Sequence, residues 1–252
     1  METKDMTQME QTIEKIKNGR GAETLGILEP LAEKGNAEAL FWLGVRSLHS
    51  MRVPDNDPNS RRHYRVIRQD KKKAVELIRQ SAEKDYPQAL CWMAKEHFLG
   101  RRLEKNETLA FEYWKKAADT GFVPAIYKLA QCYSSARGTS LNHDEGIRLC
   151  RTAAEAGYPP AEFLLSLYYT YGRDVDNNCF GPVEPNYEKA IYWGKRAAEH
   201  GHIIGQYMMG RYYLEVKGDI VQAKYWLHEA AKRNLKNARI FLEEIEKVEV
   251  QA

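Results

Sequence analysis

Long apolar runs are missing from this sequence of 252 residues. No window approaches the ~18 consecutive apolar residues that a transmembrane helix requires. The first residues, Met1-Glu2-Thr3-Lys4-Asp5, are polar and lead into a charged amphipathic segment without the apolar stretch of a secretory signal. We therefore predict no membrane contact and a cytoplasmic location for the chain as given.

Cysteine is scarce and follows no repeated spacing. The chain holds four cysteines, at positions 91, 132, 150 and 179, which favours reduced thiols in a reducing compartment. Cys132 and Cys150 fall on the two helices of one predicted hairpin and could approach each other. A disulfide between them is the less favoured alternative.

Recognisable catalytic motifs are also absent. The sequence contains no P-loop, G-x-G-x-x-G, H-E-x-x-H or G-x-S-x-G. His200 and His202 could ligate a metal at i,i+2 spacing, but no carboxylate or thiol is arranged around them to complete a site. Cys91 has no evident histidine partner for nucleophilic catalysis. We predict no catalytic residue, no metal site and no cofactor, and an enzyme is kept as an alternative.

An excess of charge of one sign is missing as well. Charged residues make up 29% of the chain, yet the net charge is only +3, so nothing in the composition requires nucleic acid. One basic segment, residues 51–69, holds five arginines, at positions 52, 61, 62, 65 and 68. An RNA or DNA contact there is an alternative, but the modest overall charge and the acidic last helix count against it. We predict no nucleic-acid partner.

What the sequence does contain is a repeated helix–turn–helix pattern. Six copies align on a turn residue, and these residues are Gly35, Asp85, Gly121, Gly157, Gly201 and Asn234. Successive turns are 50, 36, 36, 44 and 33 residues apart, and a period near 36 indicates an array of helical hairpins. Glycine, asparagine and aspartate are the residues that best accept the left-handed conformation at a helix end.

Positions counted from the turn residue form columns of similar side chains. Small residues occupy turn−3 (Ala32, Ala82, Ala118, Ala154, Ala198, Ala231) and turn+4 (Ala39, Ala89, Ala125, Ala161, Gly205, Ala238). Large residues occupy turn−8 (Ile27, Leu77, Tyr113, Leu149, Trp193, Trp226) and turn+8 (Leu43, Met93, Leu129, Leu165, Met209, Leu242). Small side chains beside a turn let helices approach closely, so we predict that these columns form the core.

The pattern resembles the Sel-like repeat family, which is related to the tetratricopeptide repeats. Its unit reads roughly A-x-x-x-L-G-x-x-Y, a loop with glycine, and A-x-x-W-x-x-x-A-A-x-x-G. The best copies here run from Ala125 to Tyr133 with Gly138, from Ala110 to Ala118, and from Ala190 to Gly201. The resemblance covers about residues 22–245 and implies an all-α, right-handed superhelical solenoid of antiparallel helix pairs. Some relatives carry a regular cysteine pair in each unit, and this chain does not.

The expected organisation has three parts. Residues 1–35 form N-terminal capping helices, residues 36–234 form five repeats, and residues 235–252 form a C-terminal capping helix. Two insertions, at 51–69 and 172–186, enlarge the hairpin loops in which they lie. Insertions of this kind project from one edge of a solenoid and often contribute to binding, although long surface loops are also tolerated without a function.

One face of the first helices is too apolar for a surface exposed to water. It carries turn+3, +6, +7 and +10, opposite the core columns, and the resemblance places first helices on the concave side. We predict a partner-binding groove there, formed by Phe41, Trp42, Val45, Trp92, Lys95, Tyr127, Lys128, Phe163, Leu164, Leu167, Tyr207, Met208 and Arg211. Alternatively, turn+6 and turn+7 pack against the next hairpin, which is favoured for turn+6 alone. For Trp42 and Trp92 we favour contact with a ligand.

A secondary site is predicted in the basic loop, at Arg61, Arg62, His63, Tyr64 and Arg65. The favoured function is a non-enzymatic adaptor or scaffold that binds a protein or peptide partner. The alternative is a dedicated inhibitor, such as an immunity protein, whose partner would be a secreted or toxic effector protein. An adaptor should bind several motifs weakly, whereas an inhibitor should bind one folded partner tightly.

Overall fold

The structure is a computed structural model that describes residues 11, 13–14, 24–54, 64–172 and 184–251, with the backbone alone at 51–54, 64–65 and 248–251. The chain divides into two compact units, residues 1–125 and 126–252. No helix among the described residues combines the length and apolar character needed to cross a membrane.

Twelve helices account for most of the described residues, which confirms the all-α class. They are α1 (Leu25–Glu33), α2 (Ala37–Ser47), α3 (Lys71–Ala82), α4 (Pro87–Leu99), α5 (Glu107–Asp119), α6 (Val123–Ser135), α7 (His143–Glu155), α8 (Pro159–Thr170), α9 (Tyr187–Glu199), α10 (Ile203–Glu215), α11 (Ile220–Lys232) and α12 (Lys236–Gln251). The helices lie in pairs on either side of the predicted turn residues. Most of residues 1–23, where the first part of the N-terminal cap was predicted, and most of the second insertion lie outside the described residues.

The first insertion departs from a plain loop, because its two ends pair as a β-ribbon. Strands β1 (Met51–Pro54) and β2 (Tyr64–Ile67) are antiparallel, with Met51 opposite Ile67 and Pro54 opposite Tyr64. The sequence analysis did not predict strand here. The ribbon begins a few residues after α2 and ends a few residues before α3, so it is an addition to one helical hairpin rather than a second layer.

All six turn residues adopt the left-handed conformation that the sequence predicted. Their φ values are +76° at Gly35, +56° at Asp85, +81° at Gly121, +79° at Gly157, +85° at Gly201 and +66° at Asn234. In each turn the amide of the turn residue donates to the carbonyl of turn−3, at 2.8 to 3.0 Å. The alanines at turn−3 therefore supply the backbone acceptor that ends each preceding helix.

The core columns are confirmed on the first helices and shifted by one residue on the second. Every residue at turn+4 and turn+8 is buried. On the second helices the residues buried in every copy are at turn−7, which holds Leu28, Ile78, Trp114, Cys150, Gly194 and Leu227, and at turn−11, which holds Thr24, Ala74, Ala110, Gly146, Ala190 and Ala223. The predicted column at turn−8 is only partly buried in four copies, because it lies 100° around the helix from turn−7.

The sizes of the side chains at turn+9 and turn−7 complement each other within a hairpin. A Cβ added to Gly44 would lie 2.6 Å from Ile78 Cγ1, and one added to Gly210 would lie 2.6 Å from Leu227 Cγ. Where turn−7 is itself glycine, at Gly194, the turn+9 partner is Ser166. A large side chain on one helix is thus matched by a small one on its partner, as close packing requires.

Each described hairpin loop is closed by the same backbone bond. The amide of turn−15 donates to the carbonyl of turn+12, in the pairs Asp70–Ser47, Asn106–His97, Asn142–Tyr133, Asn186–Tyr169 and Asp219–Tyr213, at 2.8 or 2.9 Å. The side chain of each turn−15 residue also accepts from the backbone three residues later, at 2.9 or 3.0 Å, and so caps the second helix. The insertions leave this closure unchanged.

The described cysteines form no disulfide with one another. Cys91, Cys132 and Cys150 remain thiols, so the alternative of a bridge between Cys132 and Cys150 is not realised. The Cys150 thiol donates to the Ala161 carbonyl at 3.7 Å, and burial raises the pKa of Cys150 to about 12. Cys150 is therefore a core side chain that stays protonated, and Cys179 lies outside the described residues.

Candidate interaction face

The turn+6 side chains make contacts between successive hairpins. Ring centroids lie 5.5 Å apart for Phe41 and Tyr86 and 5.4 Å apart for Tyr127 and Tyr158. The rings of Phe163 and His202 stack at 4.4 Å with 25° between their planes. In each pair the partner is the residue that follows the next turn. The alternative in which turn+6 packs against the next hairpin is therefore the correct one.

Phe41 is buried, and its prediction as a binding residue exposed to solvent is wrong. It is 7% exposed and lies in a core cluster with Ile78, Leu90 and Met93. Tyr127, the corresponding residue in another repeat, is half-buried. The physical reason is that the next hairpin covers the edge of the first helix on which turn+6 lies.

Hydrogen bonding fixes the side chains around Trp42. The Tyr86 hydroxyl donates to Glu38 Oε1 at 3.0 Å. Burial and, second, the nearby Glu38 carboxylate raise the pKa of Tyr86 above its ordinary value, so the hydroxyl stays protonated as a donor. The Trp42 ring packs edge-on against Phe41, with centroids 5.2 Å apart at 72°. Trp42 is thus held by rigid neighbours rather than left to adopt many rotamers.

The face left for a partner consists of the turn+7 and turn+10 side chains, which we call the first-helix face. In the first unit these are Trp42 and Val45 on α2 and Trp92 and Lys95 on α4. Both tryptophans and Val45 are half-buried, and all three pack against the same core cluster. Lys95 is exposed. The structure therefore gathers Trp42, Val45 and Trp92 around one cluster, and Lys95 occupies the same column as Val45.

A buried ion pair lies close to Trp92. The guanidinium carbon of Arg102 is 6.0 Å from the Trp92 ring centroid. Arg102 Nη1 also donates to Glu96 Oε1 at 2.8 Å, and Glu96 is only 3% exposed. A buried carboxylate needs such a partner, so Arg102 holds a defined position next to the aromatic face.

The corresponding face of the second unit is less aromatic. Lys128 on α6 is exposed, donates to Gln131 at 3.0 Å, and places its Nζ 5.9 Å from the Tyr127 ring centroid. Burial raises the pKa of Tyr127 to about 12, so this ring remains neutral. Leu164 and Leu167 on α8 are half-buried. This part of the face combines one exposed cation, Lys128, with aliphatic surface.

The α10 part of the face carries a sulfur atom and a paired arginine. Met208 is 45% exposed. Arg211 donates to both oxygens of Glu215, at 2.8 and 3.0 Å, so its charge is already balanced within the helix. Tyr207 is half-buried, and its ring centroid is 6.4 Å from that of Phe241. Met208 is therefore the side chain of α10 with the most apolar surface left for a partner.

The predicted secondary site cannot be placed. Arg61, Arg62 and His63 lie outside the described residues, and at Tyr64 and Arg65 the structure describes only the backbone, in β2. The basic loop thus stays a prediction.

Sequence reasoning missed a buried cluster of charge in the second unit. Glu162 on α8 is fully buried, with Oε1 3.1 Å from Arg196 Nη2 and Oε2 2.8 Å from His200 Nδ1. The signal was visible, because turn+5 holds Leu40, Leu90 and Ile126 in the earlier copies and a carboxylate here. The neighbouring His202 accepts from the Gly205 amide at 3.1 Å, and burial lowers the pKa of His202. These groups join two turns, with the Glu162 carboxylate fully buried and the His200 side chain 44% exposed.

Comparison with known proteins agrees with this architecture. A family model described as Sel1 repeat matches residues 64–86, 87–122, 123–158, 159–202 and 203–235. The resemblance read from the sequence is thereby confirmed. Among curated proteins, none matches the chain significantly.

Solved structures with the same fold come from several bacteria. A Sel1 repeat protein from Oxalobacter formigenes is 23% identical with a TM-score of 0.68, over 89% of this chain and 60% of its own. A protective antigen of uropathogenic Escherichia coli with an SLR fold is 21% identical with a TM-score of 0.63, over 92% and 46%. The immunity protein PA5088 from Pseudomonas aeruginosa is 19% identical with a TM-score of 0.53, over 81% and 68%. The chain thus spans less than two thirds of the first two, and the likeness concerns the fold.

Proposed function

The chain belongs to the Sel1 repeat family, and from that premise we propose that it is a protein-interaction module that binds a protein or peptide partner on the first-helix face. Arrays of this kind present rigid surfaces on which a partner can dock. Apolar anchors supply the affinity, and charges orient the partner.

Trp42 and Trp92 carry the proposal. They occupy the same position on successive first helices of the first unit, and each is held against the core while part of its surface reaches solvent. The neighbouring turn+6 side chains already make contacts between hairpins, so the solvent-exposed part of each tryptophan is available to a partner. Tryptophan is among the residues that dominate binding at protein interfaces. Lys95 adds a positive charge to the first-helix face.

The side chains of the second unit supply a weaker set of contacts. Leu164 and Met208 at turn+7 offer aliphatic and sulfur surface, and Lys128 offers a cation. Methionine adapts to partners of different shape. We expect this part of the face to contribute less to affinity than the two tryptophans.

An adaptor or scaffold is the favoured form of this function, and a dedicated inhibitor of one protein is the second candidate. The immunity protein PA5088 shares the fold, which supports keeping an effector protein as a possible class of partner. The number of partners separates the two candidates: an adaptor has several of modest affinity, and an inhibitor has one that is bound tightly.

A cytoplasmic location completes the proposal. The reduced state of Cys91, Cys132 and Cys150 supports it, because cytosolic proteins keep their thiols reduced. Fractionation of cells that express the full-length protein tests this point. Recovery from the membrane or the culture medium would overturn it.

The first experiment compares the wild type with Trp42→Ala/Trp92→Ala in a pull-down from native lysate, read by mass spectrometry. We expect a stoichiometric protein to be lost with the double variant, since each aromatic anchor contributes about 2 kcal/mol or more. The affinity of the purified partner is then measured by titration calorimetry. One tight partner identifies an inhibitor, and several weak ones identify an adaptor.

Two further variants keep the test decisive if the tryptophans also support folding. Lys95→Glu changes an exposed charge without touching the core and should weaken the same partner. Leu164→Ala/Met208→Ala truncates the matching column in the second unit and should have the smaller effect. A partner that binds all of these variants as tightly as the wild type, with the helical circular dichroism unchanged, would exclude the first-helix face.

A further inference from the structure

A cleft on the first unit concentrates positive charge, and its lining contains none of the residues of the first-helix face. Its volume is about 350 Å³, and it lies between α3 and the loop that follows α4. Its lining consists of five cationic residues, one carboxylate and one aliphatic residue: Lys71, Lys72, Arg79, Arg101, Arg102, Glu76 and Val75. We call it the basic cleft.

Two of its five cations already form ion pairs with carboxylates of the same chain. Arg79 Nη1 lies 2.9 Å from Glu76 Oε2, and Arg102 is bound to the buried Glu96. Lys71, Lys72 and Arg101 have no ion-pair partner among the residues that the structure describes. The cleft therefore presents three unbalanced positive charges beside two guanidinium groups that are held in place.

The lysines stand where helix electrostatics disfavours them. They begin α3, whose first turn contains Lys71, Lys72 and Lys73 and no acidic residue. The amino-terminal end of a helix carries a partial positive charge, so acidic residues stabilise it and cations do not. Three other second helices follow this rule, with Glu107 in α5, Asp144 in α7 and Glu188 in α9, whereas α11 also begins without an acidic residue in its first turn. The Asp70 side chain caps this end, and a bound anion would reduce the repulsion that remains among the three lysines.

Of the two arginines on the opposite side, Arg102 is held by the fold. Gly100 ends α4 in the left-handed conformation, with φ +63°, and turns the chain so that Arg101 and Arg102 face the cleft. The Glu96 carboxylate fixes Arg102 there. A guanidinium held in this way binds a carboxylate with less loss of side-chain freedom than a mobile one.

We propose that the basic cleft binds an acidic, Asp/Glu-rich segment of a protein partner. The inference deepens the proposed function and rests on it for the protein nature of the partner. Charge complementarity supports it, because the unpaired Lys71, Lys72 and Arg101 would face carboxylates. A nucleic acid fits less well, because sites for single strands add aromatic rings on which bases stack, and the cleft lining has none.

The test measures binding of fluorescein-labelled decaglutamate by fluorescence anisotropy at about 50 mM salt, where screening is moderate. The wild type is compared with Lys71→Glu/Lys72→Glu. We expect binding by the wild type that weakens as salt is raised, and a loss of about tenfold or more in the variant. The thermal midpoint of the variant should not fall, because glutamate replaces lysine at the start of a helix.

Lys115→Glu/Lys116→Glu is the matched control. It reverses two adjacent exposed lysines on α5, so it changes the net charge equally outside the cleft. The control should bind decaglutamate nearly as well as the wild type. The proposal is overturned if the wild type does not bind decaglutamate, if both variants lose binding alike, or if the cleft variant unfolds at a lower temperature. Tighter binding of a labelled single-stranded decanucleotide through the same lysines would also overturn it.

This result is separable from the test of the first-helix face. Trp42→Ala/Trp92→Ala removes the ring beside Arg102 but leaves Lys71, Lys72 and Arg101 in place, so it should still bind decaglutamate through these three residues. If the natural partner ignores the tryptophans while decaglutamate still requires Lys71 and Lys72, the first-helix proposal fails and the cleft proposal stands.

Discussion

The turns between hairpins and the loops within them follow opposite rules. Every turn is left-handed at one residue and is closed by the same bond to turn−3. The loops differ widely, from the short connection after Tyr213 to the insertion after Ser47 that contains a β-ribbon. What the loops share is their closure, through the amide of turn−15 and the carbonyl of turn+12, and the cap formed by the turn−15 side chain.

This difference separates two tasks along the chain. The turn places one hairpin directly against the next, so a change there alters the packing of alanines on both sides. Each loop begins and ends at two residues that are joined by a backbone hydrogen bond, so its length has little effect on how the two helices pack. The turns therefore determine how the hairpins pack, and the loops tolerate changes in length and sequence.

A substitution in a turn should have the largest effect. In Gly121→Ala the added methyl group meets nothing within 4 Å, so only the φ of +81° opposes it. We expect a loss of about 1–2 kcal/mol in the free energy of unfolding, the cost of a left-handed residue with a Cβ. Urea denaturation followed by circular dichroism measures it.

Gly26→Ala is the control for that loss. It adds the same methyl group in equally open space at a residue that is not left-handed, and it should not destabilise the protein. If both substitutions cost the same, backbone conformation is not what the turn requires.

Removal of a helix cap at the loop closure should have an intermediate effect. Asn142→Ala deletes the side-chain oxygen that accepts from the Glu145 amide at 3.0 Å and keeps the backbone bond to Tyr133. We expect a loss of about 1 kcal/mol in urea denaturation. Asn142→Asp retains an acceptor and should stay close to the wild type. Equal losses in both variants would show that the amide group matters for a reason other than capping.

A longer loop should have the smallest effect. Doubling the segment 134–141 with glycine and serine costs about 0.6 kcal/mol in closure entropy, since Tyr133 and Asn142 still meet at its ends. The urea midpoint and the helical signal should change little. A loss as large as that of Gly121→Ala would contradict the division between turns and loops.

Much of the fold could be predicted because the copies of the repeat can be aligned with one another, so each structural position is seen several times in one sequence. Six aligned copies identified Asp85 and Asn234 as left-handed residues, although neither is glycine. The same alignment contained the capping column at turn−15, where every copy from Asp70 to Asp219 has Asp or Asn, and sequence analysis overlooked it. The core column at turn−8 was misplaced by one residue, since Ile78 and Leu77 are equally apolar.

The candidate site was harder to predict, for a geometric reason. Phe41 and Trp42 are adjacent and both aromatic, and a helical wheel places both away from the hairpin's own core. Only the position of the next hairpin decides which of them is covered, and that depends on the turn rather than on either residue. The basic cleft was missed because Lys71 and Arg101 come from segments that no repeat column connects.

The bond between turn+12 and turn−15 also makes each hairpin loop an insertion cassette for protein engineering. A foreign epitope, a reporter or a small domain placed between Tyr133 and Asn142 would enter and leave the scaffold at two points already joined by a hydrogen bond. The natural insertions after Ser47 and Tyr169 show that the helices on either side tolerate inserted segments. A display scaffold could therefore be diversified in its loops while its helices keep their register.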